Sequence, residues 1–215
     1  MTTEYKTSWR PNSAEIEETH IGQLMRARGC DFEALHAWAF DDPEAYWTYV
    51  LSELQIVFAV PPKRILELPS RWLPEAQLNI VQSCFERSQG EIALVRGLAD
   101  GSLEYWSRDQ LKARTLRVAS ALKASGIGPG DAVAIAMPMT AESVVIYLAI
   151  VWVGAAVVSI ADSFSAEEIR TRLEISKTTL VFTQDHILRG SKSIPLYPRL
   201  VEAGSQSVVV LQASD

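Results

Sequence analysis

The spacing of apolar and polar positions divides the chain into two textures. Up to about Pro69 the apolar residues recur at helical spacing and include many aromatics. Tyr46, Val50, Leu51 and Leu54 form a stripe that starts after Asp42-Pro43, an acidic cap followed by a proline suited to the first helical position. Trp38, Trp47 and Tyr49 read as packing residues of this helical part, since their rings carry its largest apolar surfaces. Pro61-Pro62 and Pro69 then predict an extended connection, because proline removes a backbone donor and restricts its predecessor.

After Trp72 strands and helices alternate. Ile92 to Val95 and Leu103 to Trp106 are short strand patterns separated by the turn signal Asp100-Gly101. Ser107 with Gln110 three residues on is a capping box, and it opens a helix whose buried stripe is Leu111, Val118 and Leu122. Its outer face carries Lys112, Arg114, Arg117 and Lys123, a solvated surface. Gly126 and Gly128-Pro129-Gly130-Asp131 end that helix, and Ala132 to Met137 is a buried strand. A further helix from Thr140 to about Trp152 leads to a strand at Ala155 to Ile160. Ser165 with Glu168 caps the next helix through Leu173, and Leu180 to Thr183 and Val208 to Leu211 complete the strand patterns.

Strands separated by single helices require crossover connections, so the expected class is α/β: a helix-flanked, mainly parallel sheet preceded by a helical lead-in. The expected division is residues 1–69 for the lead-in and 70–215 for the α/β part, left incomplete by an end close after a strand. Ser143 to Ala161 carries no charge over a length that could span a bilayer, but Gly154 splits it into a helical and a β-branched half. Glu142 and Asp162 bracket it without a basic anchor, so a buried helix and strand are expected and no membrane span.

Composition removes several classes of function. Of 215 residues 48% are hydrophobic and 21% charged, with a formal charge of −6. That balance lacks the clustered cations a nucleic-acid footprint needs. Three scattered histidines and two cysteines, Cys30 and Cys84, suggest neither a metal site nor a disulfide framework. The first ten residues lack the basic start and apolar run of a secretory signal. The acid pairs Glu17-Glu18, Asp41-Asp42 and Glu167-Glu168 are expected as solvent-facing charges at helix starts, and no histidine segment carries a nucleophile elbow.

Several segments taken in series resemble the acyl- and aryl-CoA synthetases, luciferases and adenylation domains that activate acids as acyl-adenylates. They are Arg71-Trp72-Leu73 with Leu78-Asn79-Ile80, then Leu103-Glu104-Tyr105-Trp106-Ser107, then Gly126-Ile127-Gly128-Pro129-Gly130-Asp131, then Met137-Pro138-Met139. The order and spacing are similar to the acetyl-CoA-synthetase branch, and Ala14 to Glu53 is similar to the N-terminal helices of plant-type peroxisomal acyl-activating enzymes. The resemblance implies the N-terminal part of an AMP-forming acid-CoA ligase, which joins an acid to coenzyme A with conversion of ATP to AMP and diphosphate. Its complete form would use ATP, Mg²⁺ and CoA and take a carboxylic acid as partner.

The resemblance also singles out site residues. Arg189 and Lys192, in Arg189-Gly190-Ser191-Lys192-Ser193-Ile194-Pro195-Leu196, match two basic positions that hold the phosphorylated nucleotide end of CoA. Lysine stands where the family often has arginine, and it lacks the bidentate fork. On the residues alone the segment reads as a solvated basic loop before a turn, and the resemblance is what turns it toward CoA. Asp162 and Ser163, where many relatives carry glycine, fall at a second CoA-contacting element, although Asp162 brings a negative charge toward phosphates.

No catalytic residue is assigned, because the chain contains neither the Gly/Ser/Thr-rich loop with a nearby lysine that cradles a triphosphate nor a P-loop. The expectation is a polypeptide inactive alone, and a complementing C-terminal chain is one partner that would restore it. The alternatives are a free-standing non-catalytic binding or regulatory module and a truncated gene product. The expected location is cytoplasmic or peroxisomal, and Ala213-Ser214-Asp215 is not a peroxisomal address.

Overall fold

A computed structural model describes residues 8–67, 71–86, 91–98 and 100–213. Pro69, the expected boundary at 69/70, residues 1–7 and the final Ser214-Asp215 lie outside the described residues. The described residues form two compact units, one running to Gln55 and including Val60–Ala76, the other comprising Ile56–Ala59 and everything from Gln77 onward.

The first unit contains helices α1 (Ser13–Glu18), α2 (His20–Arg28), α3 (Phe32–Asp41) and α4 (Pro43–Glu53), followed by the two-residue strands β1 (Leu66–Glu67) and β2 (Arg71–Trp72). Each helix has a side-chain cap for its unpaired N–H groups: Asn12 with Glu15 as a capping box, then Thr19, Asp31 and Asp42, the last followed by Pro43 as expected. Few residues here are buried, among them Leu24 and Leu35. Edge-on rings bind the unit instead: Trp38 meets Tyr46 at 5.6 Å, Tyr46 meets Trp47 at 5.5 Å and Trp47 meets Trp72 at 5.3 Å. Arg28 lies over Trp38 at 3.6 Å. Glu17 and Glu18 correct one expectation. The capping box at Asn12 starts α1 early enough to place them in its last turn, where Arg26 approaches Glu17.

The second unit begins with α5 (Ile80–Phe85) and a hairpin of β3 (Ile92–Gly97) and β4 (Leu103–Ser107). The chain continues through α6 (Arg108–Ala124), β5 (Ala132–Ala136), α7 (Ala141–Trp152), β6 (Ala156–Ser159), α8 (Ala166–Ser176) and β7 (Leu180–Gln184). A second hairpin, β8 (His186–Arg189) and β9 (Lys192–Pro195), precedes α9 (Tyr197–Glu202) and β10 (Val208–Leu211). Strands β10, β7, β5 and β6 lie side by side in that order, all parallel, with Ile135 of β5 opposite Ser159 of β6 and Phe182 of β7. The expected parallel sheet is therefore present.

Period-two alternation gives each face of the sheet its own core. Val133 and Ile135, with Met137 beyond the strand end, pack with Ala119 and Leu122 of α6 and Ile146, Ala149 and Ile150 of α7. Ala134 and Ala136 pack on the opposite side with Ile169 of α8 and Leu200 of α9. The capping boxes expected at Ser107 and Ser165 both form, and Thr140 with Ser143 makes a third. On α6 the buried positions are Leu111, Thr115, Ala119 and Leu122; Val118 sits at the margin of the stripe. Gly154 takes φ +84 after α7, and a Cβ there would lie 3.0 Å from the Pro129 ring, so two loops approach each other at a point only glycine allows.

Polar contacts tie the lateral elements to this sandwich. Arg96 of β3 pairs with Glu104 at 2.9 Å and Glu142 at 3.2 Å, linking the first hairpin to the start of α7. Asn79 caps α5 by accepting from the Val81 N–H, and its Nδ2 donates to the carbonyls of Val151 at 2.9 Å and Trp152 at 3.0 Å. It thereby gives the Trp152 carbonyl a donor at the C-terminal end of α7 and adds a second to that of Val151, which also accepts from the Gly154 N–H. Asn79→Ala removes all three bonds and should lower the unfolding free energy by about 1–3 kcal/mol, measured as a reduced urea midpoint with unchanged slope.

Candidate site at the carboxyl edge of the sheet

In an open parallel sheet the chain leaves each strand at the carboxyl edge, and ligands bind where neighbouring connections run to opposite sides. Here β5 is that strand, because the chain passes first to β6 on one side and then to β7 on the other. The segment after β6 and the segment after β7 therefore flank the same edge. The first contains Asp162 and Ser163, the second Arg189 and Lys192.

The second segment is a hairpin, not an irregular loop. Arg189 and Lys192 face each other directly in the β8–β9 register, joined through Gly190 at φ +60 and Ser191. Opposed residues on an antiparallel pair share a face, so the two cations stand together. Asp185 fixes the base of the hairpin: its N–H donates to Leu211 O and its carbonyl accepts from Leu196 N, both at 3.0 Å. Its carboxylate accepts from the N–H groups of Ala213 at 2.9 Å and His186 at 2.8 Å. The Ala213 N–H, followed by His186, holds the Asp185 carboxyl below its ordinary pKa, because both favour the charged form.

The segment after β6 is fixed from α9. Arg199 donates through Nη1 to the carbonyls of Asp162 at 2.7 Å and Phe164 at 3.0 Å. Arg172 of α8 lies over the Phe164 ring at 4.0 Å. With its backbone held, Asp162 meets the hairpin: Arg189 Nη2 donates to Asp162 Oδ1 at 2.9 Å. Ser163 is exposed. Lys192 is also exposed and has no ion-pair partner among the described residues.

Phe164 and Ala161 also wall an apolar cleft of 570 Å³ whose other side includes Met137, Pro138, Tyr147 and Leu148. A cationic corner beside an apolar cleft suits a molecule with a phosphorylated head and a less polar arm. Among the described residues no group of three or more His, Cys, Asp or Glu could hold a metal ion, and no helix is long and apolar enough to cross a membrane. Of the residues singled out from sequence, the structure brings Asp162 and Arg189 into contact and sets Lys192 beside Arg189. Arg199 and Asp185 escaped notice, although Pro198 one residue before Arg199 is a helix-start signal that could have placed it on α9.

The architecture is that of the acyl-CoA synthetases. Acetoacetyl-CoA synthetase from Streptomyces lividans superposes with a TM-score of 0.85 over 96% of this chain and 36% of its own, at 24% sequence identity. The family model described as AMP-binding enzyme matches residues 81–214, and the chain belongs to that family. "Probable acyl-activating enzyme 18, peroxisomal" of Arabidopsis thaliana and hexanoyl-CoA synthase of Cannabis sativa are each 40% identical over 96% of this chain and 32% of their own length. Acetyl-coenzyme A synthetase of Thiobacillus denitrificans is 33% identical over 77% of this chain and 26% of its own length. The chain thus spans about a third of the length of the relatives it matches. The resemblance drawn from Arg71 through Met139 and from the helical lead-in is borne out by these relatives.

Two outcomes follow from the anchors. Arg199→Ala should speed amide exchange at Phe164, whose N–H closes the Ala161 turn, by about tenfold, the size expected for losing charge-assisted bonds worth roughly 1.4 kcal/mol. Asp185 stabilises the fold above its unfolded pKa of about 3.9, and that contribution disappears as pH falls through the lower folded value. Asp185→Asn should therefore reduce thermal stability at pH 7 and flatten the loss of stability below about pH 4, as followed by circular dichroism.

Proposed function

We propose that this polypeptide is the N-terminal portion of an AMP-forming acid-CoA ligase, with residues 1–69 as its helical lead-in and 70–215 as the first part of its adenylate-forming domain. The complete protein would convert an acid, ATP and CoA to acyl-CoA, AMP and diphosphate, using Mg²⁺ with the nucleotide. The observation that carries the assignment of this portion's role is the pairing of Arg189 with Lys192 on one face of a hairpin at the carboxyl edge, next to an apolar cleft. Two adjacent cations suit the phosphorylated nucleotide end of CoA, Arg189 through its fork and Lys192 as a point charge. Ser163 offers a small exposed polar contact beside them.

Activation of the acid itself calls for donors and cations arranged around a triphosphate, and the sequence contains no Gly/Ser/Thr-rich loop with a lysine to provide them. The 215 residues alone are then a CoA-contacting piece without adenylating activity. A C-terminal chain that completes the site could act in trans. The outer side of β10, which among the described residues pairs only with β7 and exposes Val209 and Val210, offers an edge for added strand pairing. Names of the plant relatives favour a peroxisomal setting for the complete protein.

The test combines turnover and binding. The purified chain with ATP, Mg²⁺, CoA and acetate or hexanoate should release no AMP above a blank, and AMP formation would refute the proposal. In calorimetric titration CoA should bind, and Arg189→Gln should weaken that binding by about tenfold, consistent with losing a charge-assisted contact of roughly 1.4 kcal/mol. Unchanged affinity in that variant would remove Arg189 from the site.

A further inference from the structure

The first anion on Arg189 belongs to the protein. Asp162 Oδ1 accepts from Arg189 Nη2 at 2.9 Å, and Nη2 is part of both two-donor edges of a guanidinium. One of its two hydrogens is thereby taken, so a phosphate that grips that edge must displace or share the carboxylate, and one that takes the other edge meets the carboxylate's charge at close range. Exposure points the same way. The Arg189 side chain is 53% exposed and open to a ligand, whereas that of Asp162 is 23% exposed and set closer to the protein.

The position of this carboxylate is built in. Both carbonyls flanking the short turn, those of Asp162 and Phe164, accept from Arg199 Nη1, and Arg172 lies over the Phe164 ring. The hairpin carrying Arg189 is equally constrained, by the Asp185 anchors at its base and by the Gly190 turn at its tip. Two separately fixed elements thus bring one anion to one cation, and Lys192 beside them has no such counter-ion among the described residues.

We propose that Asp162 is a built-in competitor for the phosphate ligand of Arg189, so that this corner binds a phosphorylated ligand by exchanging one anion for another and does so more weakly and more selectively than Arg189 and Lys192 alone would. The proposal rests on the reading of these two cations as contacts for CoA phosphates. Exchange favours a doubly charged phosphomonoester, which outcompetes a single carboxylate for the fork, over singly charged anions. Asp162 is then a specificity-determining residue, and Arg199 is a positioning residue that acts through it.

The experiment is a thermodynamic cycle on the full 215-residue chain, with calorimetric titration of CoA into the wild type, Asp162→Asn, Arg189→Gln and the double variant, each checked for fold by circular dichroism. Asp162→Asn should bind CoA about three- to tenfold more tightly than the wild type, the range expected when a competing, partly exposed ion pair is removed. That gain should vanish in the Arg189→Gln background. Asp162→Ser provides the same test should the asparagine disturb the turn. Equal or weaker binding by the Asp162 variants, with binding still reduced by Arg189→Gln, would overturn the competitor while leaving the CoA reading intact. A gain that persists without Arg189 would assign the effect to general charge and overturn it as well. Absence of CoA binding in both the wild type and the Asp162 variants would end the CoA reading and this proposal together.

Discussion

Everything at the carboxyl edge depends on one constraint: β5 is paired in parallel on both sides. Parallel neighbours cannot be joined by a tight turn, so each connection must cross a face of the sheet and return. The chain crosses one face with α7 to reach β6 and the other with α8 to reach β7. The connections leaving β6 and β7 are consequently brought to either side of the end of β5 from segments distant in sequence. Asp162 and Arg189 meet 27 positions apart because of that winding. The apolar alternation of Ala132 to Ala136, small on one face and large on the other, is what allows helices to close over both faces of the strand.

Within this frame the electrostatics of the corner differ from what a pair of basic residues suggests. A phosphomonoester carries about −1.5 to −2 charges near neutral pH, and two free cations would nearly balance it. Asp162 removes much of that balance from Arg189, leaving Lys192 as the freer charge.

Much of the scaffold was legible in the sequence because it is written in local signals. The capping boxes at Ser107 and Ser165, the cap-and-proline start at Asp42-Pro43 and the turn at Asp100-Gly101 each depend on residues within a few positions of one another. The site was legible only in outline. Arg189 and Lys192 stood out as a basic pair, but their placement on opposed strands depends on Gly190 adopting a left-handed turn that Arg-Gly-Ser-Lys does not demand. Arg199 was invisible, since its role lies in two backbone carbonyls 35 and 37 residues away. Asp185 likewise shows its purpose only when β10 brings the Ala213 N–H beside it. Long-range polar contacts to backbone leave no periodic mark on a sequence, whereas apolar stripes do.

The scaffold and the site consequently respond to different forces. Ile150 and Val133 are fully buried, and apolar burial of that kind is little affected by moderate salt. The Arg189–Asp162 pair is partly exposed and within reach of screening ions. Ionic strength can then redistribute the cationic corner between its internal partner and an external anion while the sheet beneath it is unchanged. A corner whose charges are adjustable over a rigid apolar base can exchange one anion for another without any element of the fold having to move.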